Sequence, residues 1–336
     1  MKKAIDQLSR PFKDLRISVT DRCNFRCRYC MPAEIFGPDY AFLPKQEILS
    51  FEEIERITKA SVNLGVRKVK LTGGEPLIRK NLHQLIRKLY EIEEIEDIGL
   101  TTNGILLPTY ADRLKEAGLK RINISLDALE ENLFKKMNGV GASVEKVKAG
   151  IDAAIQAGLK VKINMVVQKG VNEDEIIPMA EYCKVKEIPL RFIEFMDVGN
   201  SNGWNWDQIV TKKEMMGILA SRYELIPIEP DYYGEVAKRY RLKGSDSEIG
   251  FITSVSETFC SECTRGRISA NGSFYTCLFA QSGVDLKEDL RNGMTDTELM
   301  NKLNQIWNNR NDRYSEERTE ESAVKRKKIE MSYIGG

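Results

Sequence analysis

The sequence predicts an α/β fold built on a parallel sheet of six strands, with a C-terminal part of different character laid against it. Three observations carry this. Short apolar runs alternate with helical patterns at fairly regular intervals, the clearest of those patterns open on a capping residue and stop at glycine, and polar, glycine and cysteine residues cluster directly after the strands.

In chain order the strands span Leu15 to Thr20, Val66 to Leu71, Ile95 to Thr101, Arg121 to Leu126, Lys160 to Val167 and Leu190 to Phe195. After the first, Ser50 with Glu53 makes a capping box. Phe51, Ile54, Ile57, Ser61 and Leu64 then recur at helical spacing before Gly65. Ser143 likewise precedes Val147, Ile151, Ala154 and Ile155, with Gly158 as the stop. A helix between successive strands returns the chain to the same end, so the strands run parallel.

In such a sheet the chemistry gathers at the carboxyl ends of the strands. Cys23, Cys27 and Cys30 follow the first strand, Gly73-Gly74-Glu75-Pro76 the second and Asn103-Gly104 the third. The fourth contains Ser125 and leads to Asp127, and Met196 and Asp197 follow the sixth. All of these are expected at one mouth. After Asn200 the pattern changes: Gly199 to Trp206 reads as a loop over that mouth, Ile249 to Val255 as a strand, and Leu299, Leu303, Ile306 and Trp307 as a final helix. This C-terminal part is expected to close the opening.

A chain of 336 residues suits one large domain with a smaller one appended. Fifty-one Lys and Arg against 50 Asp and Glu leave a net charge of +1, which excludes a globally basic nucleic-acid binder and leaves a local basic pocket open. The N-terminal MKKAIDQLSRPFKDL has no apolar core of a signal peptide, and no apolar stretch is long enough to span a bilayer. A reducing cytoplasm is the expected compartment, where thiols stay free.

Six of the seven cysteines fall into two incomplete sets, Cys23, Cys27 and Cys30, and Cys260, Cys263 and Cys277. With His83 the only histidine, neither set is completed as a zinc finger, and each leaves one position for a ligand from outside the chain. Zinc and iron-sulfur both remain open on spacing alone, as does an ordinary buried role for the first set. Gly73-Gly74-Glu75-Pro76 reads as a turn by itself. Beside an open metal site it becomes a place where a ligand approaches the backbone and a carboxylate receives an ammonium group. His83 reads as helix surface and Cys183 as a buried helix residue.

The C-x3-C-x2-C loop with Tyr29 before its last cysteine, followed by GGEP after the second strand, resembles the radical S-adenosylmethionine superfamily. Within it, LRISVTDRCNFRCRYCMP, LTGGEPLIRK, LTTNG, INISLDAL, RFIEFMDVGN, FCSECTRGRISANGSFYTCLF and the terminal Gly335-Gly336 resemble the GTP 3′,8-cyclase family over nearly the whole chain. The resemblance implies a partial (β/α)6 barrel of the TIM type in residues 1–200, and a C-terminal α+β extension in residues 201–336 that closes its mouth. It implies two [4Fe-4S] clusters. One lies on Cys23, Cys27 and Cys30, with S-adenosylmethionine on Tyr29, Gly74, Ser125 and Met196. The other lies on Cys260, Cys263 and Cys277.

GTP contacts are implied at Arg16, Lys70, Thr101, Lys162, Thr264, Arg265, Gly266 and Arg267, with Arg16, Arg265 and Arg267 the catalytic cations. The implied activity is a lyase reaction of molybdenum cofactor biosynthesis. A 5′-deoxyadenosyl radical takes the 3′ hydrogen of GTP, the ribose carbon then joins C8 of guanine, and an electron and a proton complete the product. An electron donor, a product hand-off to molybdenum cofactor biosynthesis protein C, a monomer or homodimer and a C-terminal tail inside the cavity are implied as well. Residue chemistry supports the nucleotide placement independently. Arg16, Lys162, Arg265 and Arg267 are cations at strand positions or beside a thiol set, and Lys162 alternates with Val161 and Ile163 so as to face inward. Position 70 departs from the family, which commonly has Arg there, so a forked contact becomes a point charge. A peptide-modifying radical enzyme would bring more C-terminal cysteines. A non-catalytic iron-sulfur protein would need neither GGEP nor the cations.

Overall fold

The computed structural model describes residues 3–335. Six parallel strands lie where the sequence puts them: β1 (Asp14–Ser18), β2 (Lys68–Thr72), β3 (Asp97–Thr102), β4 (Arg121–Ser125), β5 (Lys160–Val167) and β6 (Leu190–Glu194). Between them run α1 (Phe51–Asn63), α2 (Leu82–Tyr90), α3 (Leu107–Glu116), α4 (Glu131–Asn138), α5 (Val144–Gln156) and α6 (Ile176–Val185). The cap signals act as expected. Ser50 Oγ accepts from the Glu53 N–H at 3.1 Å, and Glu53 Oε2 accepts from the Ser50 N–H at 2.7 Å. Gly65, just beyond α1, takes φ +121°, a value that costs a residue with a Cβ.

Two further strands extend the parallel run beyond the six, and four antiparallel strands complete its ends. The later strands are β7 (Leu225–Ile228), β8 (Lys238–Leu242), β9 (Glu248–Ile252), β10 (Arg265–Ile268), β11 (Ser273–Tyr275) and β12 (Val284–Asp285). β10 pairs parallel with β1 and β9 parallel with β6, so the parallel run is β10-β1-β2-β3-β4-β5-β6-β9. Antiparallel β11 and β12 flank one end, and β8 and β7 the other. Among the described residues the two ends do not pair with each other, which leaves a partial barrel. The sequence count of six missed β10 because its four residues, Arg-Gly-Arg-Ile, are too short and too charged to read as a strand.

Side-chain alternation divides the strands into two faces. Leu15, Ile17, Val69, Leu71, Ile98, Leu100, Ile122, Ile124, Ile163 and Phe192 are buried in the apolar layer that includes residues of the surrounding helices. The residues between them, Arg16, Lys70, Thr101, Arg121, Asn123, Lys162 and Arg191, line an inner cavity instead.

The C-terminal helix spans Asp296–Asn308, and Trp307 is fully buried, stacked on Phe12 at 4.4 Å with its indole N–H donating to the Arg10 carbonyl at 3.0 Å. It is not the final helix. Short helical segments Tyr314–Glu317, Glu320–Lys325 and Met331–Ile334 follow, too brief to show helical periodicity in the sequence. Among the described residues no helix is long and apolar enough to cross a membrane.

Candidate active site

The loop after β1 carries the first three cysteines, and its shape is fixed by Arg26. That guanidinium donates to the carbonyls of Phe36 at 2.7 Å, Cys23 at 2.9 Å and Phe25 at 2.8 Å. The glycines after β2 are needed for contact with this loop. The Gly74 N–H donates to the Thr20 carbonyl at 2.9 Å and the Glu75 N–H to the Arg22 carbonyl at 2.8 Å. A Cβ on Gly74 would stand 2.2 Å from the Arg22 carbonyl oxygen, and Gly73 sits at φ +146°.

Glu75 then binds in the third strand. Its carboxylate accepts from the Leu77 N–H at 3.0 Å, the Thr102 hydroxyl at 2.7 Å and the Asn103 N–H at 2.8 Å. Burial pushes its pKa up to about 7 against those bonds. Glu75 thus ties the β2 and β3 loops together while still lining the cavity. Tyr29 reaches the other side, its hydroxyl donating to Asp127 at 2.7 Å, while Asp127 also accepts from the Val166 N–H at 2.9 Å. The first cysteine loop is thus fastened to the ends of four neighbouring strands.

Cys23, Cys27 and Cys30 line the cavity. Burial pushes Cys23 and Cys30 up to about 12 and Cys27 well above the usual thiol range, and each is raised further by a neighbouring Cys or carboxylate. Three enclosed thiols that oppose one another's ionisation fit a cationic centre, which would stabilise all three thiolates at once. Among the described residues no three or more His, Cys, Asp or Glu side chains stand close enough together to hold a metal ion as they are placed, so the thiols share the cavity without being drawn onto one centre.

Below this loop the cavity wall becomes cationic. Arg267, Arg16 and Lys70 are lateral neighbours on β10, β1 and β2, and Gly99 on β3 continues the row to Arg121 on β4. Gly99 has room only for the Arg121 guanidinium, 3.0 Å from where a Cβ would lie. Burial lowers the pKa of Arg16, Lys70 and Arg267, and neighbouring cations lower each further. Lys162 is brought down to about 8 by burial and then by Arg191. Some carboxylates nearby are engaged: Asp97 pairs with Arg121 at 2.7 Å and Asp231 with Arg239 at 2.6 Å. A row of enclosed, mutually repelling cations would be stabilised by a polyanion.

The second cysteine set faces the same cavity of about 430 Å³, and Cys260, Cys263 and Cys277 all line it. Arg265 Nε lies 3.3 Å from Cys263 Sγ. Burial pushes the Cys263 thiol up, but Arg265 and Arg310 more than offset it and bring it to about 6. These three thiols also fit a metal cluster by donor chemistry, and the cations beside Cys263 favour its thiolate, the form that ligates a metal. From another side the segment Met331–Ile334 enters, Ile334 is fully buried, and the Gly335 carbonyl accepts from Arg267 Nη1. Gly335 has φ +78°, and a Cβ there would meet Thr72 at 2.3 Å. Gly336 lies outside the described residues.

Residues 17–183 match the Radical SAM superfamily model and residues 188–316 the model Molybdenum Cofactor Synthesis C. A GTP 3′,8-cyclase of Staphylococcus epidermidis is 55% identical over 340 residues, covering 100% of both chains, and one of Staphylococcus aureus is 54% identical over 334 residues, covering 98% of each. The chain belongs to the GTP 3′,8-cyclase family. Among solved structures, Streptococcus suis SuiB bound to S-adenosylmethionine aligns with TM-score 0.59 at 16% identity over 88% of this chain and 68% of its own. That likeness is one of fold, and it agrees with the partial barrel.

Against the GTP 3′,8-cyclase resemblance, the structure brings nearly all of the implied residues to one cavity. Tyr29, Gly74, Ser125, Met196, Arg16, Lys70, Thr101, Lys162, Arg265, Arg267 and all six paired-set cysteines line it. Thr264 and Gly266 stand apart from the lining: Thr264 is buried with its carbonyl accepting from the Lys13 and Asp14 N–H groups, and a Cβ on Gly266 would point into the rings of Phe12 at 2.7 Å and Phe274 at 2.8 Å. Any nucleotide contact from Gly266 would run through its backbone. Sequence reasoning missed Arg121, Arg191, Asn123 and Asn164, which line the same wall. The signal was available, since Arg191 interrupts an apolar strand in the same manner as Lys162. Cys183 is buried on α6 and His83 half-buried on α2.

Proposed function

We propose that this chain is a GTP 3′,8-cyclase, a radical S-adenosylmethionine enzyme of the lyase class. It converts GTP to (8S)-3′,8-cyclo-7,8-dihydroguanosine 5′-triphosphate in molybdenum cofactor biosynthesis. The observation that carries this is one cavity with a thiol triad on each of two sides and a cationic row between them. A site for S-adenosylmethionine alone needs one triad and no such row.

Cys23, Cys27 and Cys30 would hold one [4Fe-4S] cluster and Cys260, Cys263 and Cys277 a second. When bound, the first cluster with S-adenosylmethionine supplies the one-electron chemistry. Residues 1–200 provide the first site and most of the cationic wall, and residues 201–336 the second site with Arg265 and Arg267. Tyr29, Gly74, Ser125 and Met196 would hold S-adenosylmethionine beside the first triad. Arg16, Lys70, Lys162 and Arg267 would take the triphosphate, each cation regaining the charge stabilisation that burial removes. Thr101, whose hydroxyl is buried without a partner, would give one directed hydrogen bond to the nucleotide. Arg265, held near Cys263, would orient the base end toward the second triad. The chain's part in the reaction is to fix the distance between two ligands and to keep water out.

Free thiols in this number suit a reducing cytoplasm, and an external electron donor is required. Hand-off of the product to molybdenum cofactor biosynthesis protein C, by a monomer or a homodimer, completes the proposal. Anaerobic reconstitution followed by iron and sulfide counting tests the two sites. Two four-iron clusters per chain are expected, and zinc or a single cluster would contradict the assignment of the second triad.

A further inference from the structure

A charged group outside the cavity lining remains once the thiols and inward cations are assigned. Asp197, directly after Met196, is fully buried, and the groups that meet it come from the C-terminal segment. Tyr314 donates its hydroxyl to Asp197 Oδ2 at 2.5 Å, Arg318 Nη2 lies 3.0 Å from Oδ1, and Lys328 Nζ lies 3.6 Å from Oδ2. The Arg318 contact is an ion pair without hydrogen-bond alignment, leaving Arg318 Nη1 to donate to the Ser254 carbonyl at 2.8 Å. Arg318 also lies over the Phe279 ring at 5.0 Å, and Phe279, Tyr314 and Val198 form a small apolar cluster against Cys277 and Met196. Glu330 continues the attachment, accepting from the Asn200 N–H and the Ser201 hydroxyl, each at 2.9 Å. Five residues later the Gly335 carbonyl meets Arg267.

Removing one partner from a buried ion pair leaves an uncompensated charge, so this node fixes where the segment runs. We propose that Asp197 is a positioning residue for cyclisation: acting through Arg318, Tyr314 and Lys328, it holds the C-terminal segment so that Gly335 stays on Arg267 inside the cavity. This rests on the cyclase function proposed above. Asp197 thereby joins three parts of the site, namely the end of β6 at Met196, the Cys277 loop through Phe279, and the tail.

The test uses full-length, anaerobically reconstituted protein and its Asp197→Asn, Arg318→Met and double variants. Hydrogen exchange across residues 314–335 should rise by about tenfold in each single variant while β1 to β6 stay protected. The ratio of cyclised product to 5′-deoxyadenosine should fall by about tenfold, with the double variant no worse than either single one, as residues acting as a unit behave. Two variants on opposite sides of the pair guard against one failing to fold. Unchanged exchange in both, or fast exchange with an undiminished ratio, overturns the proposal, and additive losses overturn the route through Arg318. Wild-type protein that forms no cyclised product would sink the proposed function instead, and the exchange result would still decide whether the clamp exists.

Discussion

Cys27 and Cys183 illustrate how one residue type takes two roles according to what surrounds it. Both thiols are raised by burial, but Cys27 faces Cys23 and Cys30 in the cavity, whereas Cys183 is packed on α6 in the apolar layer. Cys27→Ala is expected to abolish reductive cleavage of S-adenosylmethionine, and Cys183→Ala to leave it intact. Normal 5′-deoxyadenosine formation by the Cys27→Ala protein would remove the first triad from the site.

Lys162 gives a prediction with a sign. Its pKa falls from an ordinary lysine value of 10.5 to about 8, mainly by burial and secondly by Arg191. Below about pH 8 the group is charged in both folded and unfolded chains, and the burial penalty is fully present. Between about 8 and 10.5 the unfolded chain holds more protons, so the contribution turns toward stability as pH rises. Binding of a triphosphate favours the charged form, so GTP affinity should decline as pH rises through about 8 and above. Lys162→Arg should move that decline to higher pH. A pH profile by calorimetry that is the same for both proteins would contradict it.

At the level of elements, strands and caps were legible because each obeys a local rule. β5 spans Lys160–Val167 as its alternation dictates, and the Ser50 box caps α1. Ser50→Ala should cost about 1 kcal/mol, read as a lower denaturation midpoint at unchanged slope. What stayed hidden was set by contacts distant in sequence. The four residues of β10 become a strand only because β1 is there to pair with them, and Arg121 enters the cavity wall because Gly99 opposite has no side chain. The GGEP glycines were read as room for a ligand, and they also let the Thr20 and Arg22 carbonyls stand where side chains would be. Gly74→Ala should therefore push the two loops apart and lower the iron bound by the first triad. Full iron content in that variant would mean the loop yields without consequence.

On the scale of the whole molecule, the two halves of the chain complete one cavity rather than two. β10 returns from the C-terminal half to lie beside β1, which sets Arg267 next to Arg16, and the tail crosses to Thr72 at the end of β2. Patterns in the sequence located the six thiols and most of the inward cations. They did not locate the path of residues 309–335, whose short helices and buried ion pairs carry no periodic signal. Deleting Gly335 and Gly336 should impair GTP cyclisation while both clusters assemble and uncoupled cleavage of S-adenosylmethionine persists.

The central claim is that one cavity brings S-adenosylmethionine and GTP together for ring closure. Incubating the anaerobically reconstituted protein with GTP, S-adenosylmethionine and a chemical reductant, and analysing the products by mass spectrometry, tests it most directly. The expected result is 3′,8-cyclo-7,8-dihydro-GTP formed together with 5′-deoxyadenosine and methionine. Cleavage of S-adenosylmethionine with GTP recovered unchanged would contradict it.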